Sequence, residues 1–483
     1  MVSIPQKGNV VELSVLDVQV TPTTLTFGTE IDPVPVDKTV THELILRNTQ
    51  SSRVCVSVTP VNDAKDSLKY VLLVDHPVPF VIDGGTEQAV RIAVKVLCTT
   101  KLAIELILKT WHDNDLISKE TRLKISIETE TSTILDPDEL IKSKEEEIGH
   151  GSFGIVYRGS YRGKDVAIKV MRNNGNMTKE DQKEFDREIS MMEKYRHETI
   201  VEFIGAVRIS GRQTIVTEFC EYGSLLDALK AHQEVFGELM KIKCLLDTST
   251  AMNFLHSNGI THRDLKPENV LVVSLNIRDS IVAKLSDFGS ARVAGHGKTL
   301  VTESVGTCDY MAPEILERSI TYDNSVDVYS FSMLMYTVYT GVSPLKDDVF
   351  SHSNNPYKMI VSGKRPTTIP LSCPEDVVKL MKLCWNGIPS KRPKFDQIHA
   401  FFEDFFLECR FGGKEGVKAR QMAKYLLNKM PQLDSDEVFV WSIGDGTEFV
   451  QLCELLKTNA IPTKRLEFKR MIVKTVDAKE YRM

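Results

Sequence analysis

Between positions 10 and 130, apolar and polar residues alternate in short β-branched runs, and Pro or clusters of Asn, Asp and Gly separate one run from the next. A period of two with turn residues between the runs is the pattern of half-buried strands. It predicts strands at 10–20, 40–47, 53–59, 70–74, 89–96, 102–111 and 121–127, and so an antiparallel all-β sandwich over residues 10–130. Residues 131–140 are polar, include Pro137 and read as a linker. Strand-like runs at 155–157 and 166–170 then precede a charged helical stretch at 178–195. After position 225 the period is mostly helical, with long stretches at 238–256 and 325–340. Strands first and helices afterwards predict a two-lobed α+β domain over residues 141–406. The remainder, 407–483, has apolar residues at helical spacing near 422–430 and 449–456, which predicts a partly helical extension without a chemical motif.

A chain of 483 residues exceeds what one core supports, in keeping with a multidomain reading. The net charge of -6 gives no whole-chain reason to expect nucleic acid or an anionic membrane as partner. The nine cysteines are odd in number and contain no Cys-x-x-Cys pair, so neither a zinc site nor a disulfide framework is expected. A reducing compartment is the simpler reading. The N-terminus has no apolar signal core and no later run reaches 18 apolar residues, which predicts a cytoplasmic protein with no integral membrane segment.

Chemistry concentrates in three places. Gly149, Gly151 and Gly154 form a glycine-rich loop between strand-like flanks, where missing Cβ atoms let backbone N–H groups approach phosphate oxygens. A plain tight hairpin is the competing reading. A strand rather than a helix follows the loop, so it is not a dinucleotide-binding turn. Gly297-Lys298-Thr299 is not a Walker A loop either, because Arg292 stands where its first glycine belongs. Lys169, in the apolar run at 166–170, can be a solvent-facing residue or a phosphate ligand. Glu188 favours the second reading: it shares a helix face with Phe185, Ile189 and Met192, and a carboxylate beside a packed face calls for a cation. Glu180 and Glu184 compete but lack those neighbours.

The run His262-Arg263-Asp264-Leu265-Lys266-Pro267-Glu268-Asn269 is followed, 18 residues after the Asn, by Asp287-Phe288-Gly289. Asp264 is a candidate proton acceptor for a substrate hydroxyl. Lys266 can neutralise charge on a transferred phosphoryl group. Asn269 and Asp287 offer the hard oxygens that Mg²⁺ prefers. Together these are the equipment for phosphoryl transfer from ATP.

With Val-Ala-Ile-Lys ending at Lys169, Ala312-Pro313-Glu314, Asp327 in Asp-Val-Tyr-Ser-Phe and Arg392 in Lys-Arg-Pro, the chain resembles the eukaryotic protein kinases over roughly residues 141–406. The resemblance implies that Glu188 pairs with Lys169, that Arg392 pairs with Glu314 and that Asp327 braces the catalytic loop. It places Thr217 at the gatekeeper, with Glu218, Phe219 and Cys220 as the segment whose backbone holds the adenine. Ile148, Val156, Ala167 and Leu271 would sandwich the base, and the small Thr217 would leave a back pocket open. Lys266 in the Asp-Leu-Lys-Pro-Glu-Asn form of the loop, with Gly306-Thr307, implies serine and threonine hydroxyls in protein substrates. Arg196-His197-Glu198, Glu221-Tyr222-Gly223-Ser224-Leu225 and Cys384-Trp385 resemble the tyrosine-kinase-like group that includes Raf and mixed-lineage kinases, which leaves dual specificity open. A pseudokinase scaffold is the alternative from another class.

In the N-terminal part, Leu25-Thr26-Phe27, Leu44-Ile45-Leu46-Arg47-Asn48 and Val54-Cys55-Val56-Ser57-Val58 resemble the major-sperm-protein family of immunoglobulin-like domains. This implies an Ig-like sandwich that targets or regulates the enzyme, with a peptide or protein as its possible partner; an inert cap is the other option. Ser290, Thr299, Thr302, Ser304 and Thr307 lie between Asp287 and Glu314. Arg263 gives a phosphate there something to pair with, so Thr302 or Ser304, then Thr299, are the expected activating positions, and Thr307 is expected to be structural.

Overall fold

The computed structural model describes residues 17–61, 68–76, 78–112, 118–150, 154–171, 178–209, 211, 213–293, 299–300, 308–317, 321–351 and 353–411. The chain divides into two compact units, one of residues 1–181 with 204–218 and the other of 182–203 with 219–483.

Among the described residues the first unit opens with nine strands: β1 (Val18–Thr21), β2 (Thr24–Phe27), β3 (Thr39–Asn48), β4 (Val54–Pro60), β5 (Tyr70–Val74), β6 (Phe80–Ile82), β7 (Glu87–Val96), β8 (Lys101–Trp111) and β9 (Lys119–Glu128). They form a sheet in the order β1-β3-β7-β5 and a second in the order β2-β9-β8-β4-β6. Alternation explains the layering: Leu44 and Leu46 from one sheet and Val54, Val56, Leu106 and Leu108 from the other share one buried cluster. The seven expected strand regions all contain strands, with the described part of the first beginning at Val18. Two short strands, β2 and β6, fall outside the expected regions, and β2 pairs with β9 in parallel, unlike the antiparallel pairing that the pattern predicts. Four-residue β2 and three-residue β6 are too short to show a period.

A second sheet system follows, with β10 (Leu140–His150), β11 (Gly154–Tyr161), β12 (Lys164–Met171), then helix α1 (Lys179–Lys194), β13 (Phe203–Val207) and β14 (Thr214–Glu218). Its strand order is β10-β11-β12-β14-β13. The start of α1 is written locally: the Thr178 hydroxyl accepts from Asp181 N–H at 3.1 Å, and the Asp181 carboxylate accepts from Thr178 N–H at 2.9 Å. This reciprocal cap satisfies two donors that the first helical turn leaves over.

The second unit is mainly helical. It holds most of α1, then α2 (Leu225–Ala231), α3 (Glu238–Ser257), β15 (Ile260–Thr261), β16 (Val270–Val272), β17 (Ala283–Leu285), β18 (Arg292–Val293), β19 (Thr299–Leu300), α4 (Pro313–Leu316), β20 (Thr321–Tyr322), α5 (Ser325–Thr340), α6 (Asp348–Ser351), α7 (Pro356–Val361), α8 (Glu375–Cys384) and α9 (Phe395–Phe411). Helix α5 is buried nearly all round, from Val326 to Tyr339, as befits a helix without a polar face. Helix α9 runs to Phe411, beyond the expected domain end at 406. The helical spacings expected at 422–430 and 449–456 lie outside the described residues.

Candidate active site

In the first unit, the register of β12 decides which side chains share a face. Val166 and Ile168 lie in a buried cluster with Val207 and Val216. By alternation Ala167 and Lys169 belong to the opposite face. Directly opposed residues share a face, so Thr217, paired with Ala167, and Val156, paired with Lys169, join them. Gly149 stands opposite Val156, and Ile148 beside it is about half exposed, at 46%. Glu218, opposite Val166, falls on the buried-cluster face, so toward the Ala167 side it has only backbone to offer. Gly154 cannot be anything larger: a Cβ there would meet the Val170 carbonyl at 2.3 Å. Gly151 lies outside the described residues.

In the second unit, Glu188 is buried on α1 with Phe185, Ile189 and Met192. Cys220, also buried, accepts from Gly223 N–H at 3.2 Å. Val272 N–H donates to the Gly223 carbonyl at 2.8 Å, which fastens this segment to β16, the strand that carries Leu271.

The loop from His262 to Asn269 hangs on one carboxylate. Asp327, fully buried at the start of α5, accepts from the backbone N–H groups of His262 and Arg263, both at 2.8 Å. The His256 ring lies 2.8 Å from the same carboxylate. Burial alone would raise the Asp327 pKa, but the His256 hydrogen bond and charge, the charge of His262 and the Arg263 N–H outweigh it and hold the carboxyl below its usual range. Arg263 adopts φ 70°, left-handed backbone that an arginine occupies only when its surroundings enforce it.

Asp264 then receives three hydrogen bonds from two side chains. Lys266 Nζ lies 2.8 Å from its Oδ2, and the Asn269 side-chain amide donates to Oδ2 at 3.0 Å and to its carbonyl at 2.7 Å. Because Asn269 spends its N–H groups on Asp264, its Oδ1 is the atom left for a cation. Asp287, at φ 63°, accepts from Gly289 N–H at 3.2 Å, and Phe288 beside it is buried. Among the described residues no group of three His, Cys, Asp or Glu side chains forms a cage for a metal. Two hard oxygens that require phosphate and water to complete the shell fit Mg²⁺, which keeps waters and rarely takes an all-protein site.

The basic cluster around Arg263 is not legible in the sequence. Its Nε donates to the Ser290 carbonyl at 2.6 Å and Nη1 to the Tyr322 hydroxyl at 3.1 Å, while the buried Nη2 has no partner among the described residues. Burial, reinforced by the charges of Arg263 and Arg187, pushes the Arg292 guanidinium down to about 10. Three arginines thus gather where like charges repel. Arg187 beside Glu188 and Arg292 three residues past the Asp-Phe-Gly run were the available signals. Ser290 is buried, which counts against it as a modification site, and Thr302, Ser304 and Thr307 lie outside the described residues. Thr299 is described only as backbone of β19, paired with β20. The ion pair expected between Arg392 and Glu314 is present and bidentate, at 2.6 and 2.8 Å.

Among the described residues no helix is long and apolar enough to cross a membrane. Residues 142–402 match the family described as protein tyrosine and serine/threonine kinase. Similar proteins include the probable serine/threonine-protein kinase gdt2 of Dictyostelium discoideum, 33% identical over 66% of this chain and 19% of that protein. The serine/threonine-protein kinases STY17 and STY46 of Arabidopsis thaliana are 36% and 31% identical, over 53% and 70% of this chain and 43% and 58% of theirs. The chain therefore spans less than two thirds of each of these relatives. With the match covering more than half of its residues, and with Asp327, Asp264 and Asn269 arranged as described, the chain belongs to the protein tyrosine and serine/threonine kinase family.

Proposed function

We propose that the protein is a cytoplasmic serine/threonine protein kinase of the tyrosine-kinase-like group that uses Mg·ATP. The observation that carries this reading is Asp264, held by Lys266 and Asn269 on a loop that Asp327 pins. Asp264 accepts the proton of a substrate hydroxyl as its oxygen attacks the γ-phosphorus and the bond to ADP breaks. Lys266 moderates the charge on the transferred group. Lys169, fixed by Glu188, holds the α- and β-phosphates, and Gly149, Gly151 and Gly154 cover them. The base lies among Ile148, Val156, Ala167 and Leu271, with Thr217 as gatekeeper and the backbone of Glu218 and Cys220 as its hydrogen-bonding edge. Asn269 and Asp287 would hold Mg²⁺, which supplies charge neutralisation at the phosphates. Residues 10–130 are read as an Ig-like domain of the major-sperm-protein type with a regulatory or targeting role, supported by two sheets around a shared core.

The test is labelled ATP with peptides that differ only in a central Ser, Thr or Tyr. Ser and Thr peptides should be labelled faster than Tyr by about 10-fold or more. Equal labelling of Tyr would replace this reading with dual specificity, and no transfer by loop-phosphorylated protein would replace it with a scaffold.

Activation by phosphorylation at Thr302 or Ser304, then Thr299, is supported by the unpartnered Nη2 of Arg263 amid Arg187 and Arg292. The triple change of Thr299, Thr302 and Ser304 to Ala should lower activity about 5- to 150-fold. Full activity of that protein in a kinase assay would overturn the proposal.

A further inference from the structure

Residues 131–139 do more than connect two folded parts. Leu135 N–H donates to the Ala206 carbonyl at 2.9 Å, and Ala206 N–H donates to the Thr133 carbonyl at 2.7 Å, so the segment pairs in parallel with β13, the last strand of the β10–β14 sheet. The Leu135 side chain is buried in the same cluster as Val166 and Ile168 of β12. Gly205 permits this approach, since a Cβ there would stand 2.5 Å from both Leu135 Cδ2 and the Thr133 carbonyl. The segment's other side is fastened to the nine-stranded domain. Thr99 N–H donates to the Ile134 carbonyl at 2.8 Å, and the Thr100 hydroxyl donates to Asp136 at 2.7 Å. Lys69, itself buried, reaches Asp136 at 3.0 Å and Asp138 at 2.8 Å.

We propose that this segment is a positioning element for nucleotide binding: Leu135, locked by the Lys69 pair with Asp136 and Asp138, supports β12 from behind and so fixes the face that carries Ala167 and Lys169. Leu135 touches the cluster formed by Val166 and Ile168, and each of these is the immediate chain neighbour of a residue on the opposite face. A buried cluster cannot lose a leucine without slackening the strand that lines it. The nine-stranded domain enters because Lys69, immediately ahead of β5, reaches both carboxylates of the segment, and a buried cation with two carboxylates fixes a single register. The proposal rests on the reading of Lys169 and Ala167 as nucleotide contacts.

Three full-length variants test it: Leu135→Ser, the conservative Leu135→Met, and Lys69→Met, each followed by titration with a Mg·ATP analogue, steady-state kinetics and amide hydrogen exchange. Leu135→Ser should weaken nucleotide binding and raise the KM for ATP about fivefold or more, with kcat at saturating ATP within about twofold. Exchange should accelerate in β12 and β13, Leu135→Met should restore both measures, and Lys69→Met should move them the same way by less. Unchanged affinity and unchanged β12 exchange in Leu135→Ser would overturn the proposal. Should that variant fail to fold, Lys69→Met decides by the same two readouts. If the wild-type chain binds no nucleotide, the reading of the site fails, while the exchange in β12 still judges the support given by Leu135.

Discussion

Replacing Asp264 by Asn should reduce kcat by about 10²- to 10⁴-fold while nucleotide affinity stays within about twofold. The substitution keeps the shape and the contact with the Asn269 amide but removes the charge that Lys266 faces at 2.8 Å and the basicity proposed to take the hydroxyl proton. Single-turnover measurement with bound ATP separates the two quantities. Retention of more than about a tenth of the wild-type rate would mean that proton acceptance by Asp264 contributes little, leaving orientation as its role.

Asp327→Ala should be the most destabilising single change in the catalytic region, by about 3–5 kcal/mol. It strips the acceptor from two buried backbone donors, of His262 and Arg263, and from the His256 ring. A loss of that size lowers the unfolding midpoint by roughly 10 °C in a domain of this size. Thermal unfolding followed by circular dichroism measures it, and a midpoint within a degree or two of wild type would show that water replaces the carboxylate. The pH dependence follows from the sign of the shift. A carboxyl held below its ordinary value of 3.8 stabilises the fold fully above that pH and loses the contribution as pH falls through the lower folded value. The advantage of wild type over Asp327→Asn should therefore be level above about pH 4 and shrink only in more acid solution.

Much of this was legible because it is local. The strands of the first domain carry a period of two, and a pattern such as that of β3 determines its own inward face. The catalytic run packs its chemistry into eight residues, so spacing alone brought Asp264, Lys266 and Asn269 together. What escaped was non-local. The meeting of Arg187, Arg263 and Arg292 depends on three segments folding onto one another. The stretch 131–140 reads as a polar connection because its apolar residues, Ile134, Leu135 and Leu140, are too few to show a period. Its burial comes from β13 on one side and Lys69 on the other, both distant in sequence.

The pairing of β12 has a consequence for change in this part of the chain. Its eight residues work as a reading frame between two faces, a greasy cluster on one side and the side that carries Ala167 and Lys169 on the other. Loss or gain of one residue ahead of Val166 would exchange the sides, turning Ile168 outward and sending a lysine into the cluster with Val207 and Val216. A change of length by an odd number inverts both faces at once, which no single substitution there can do.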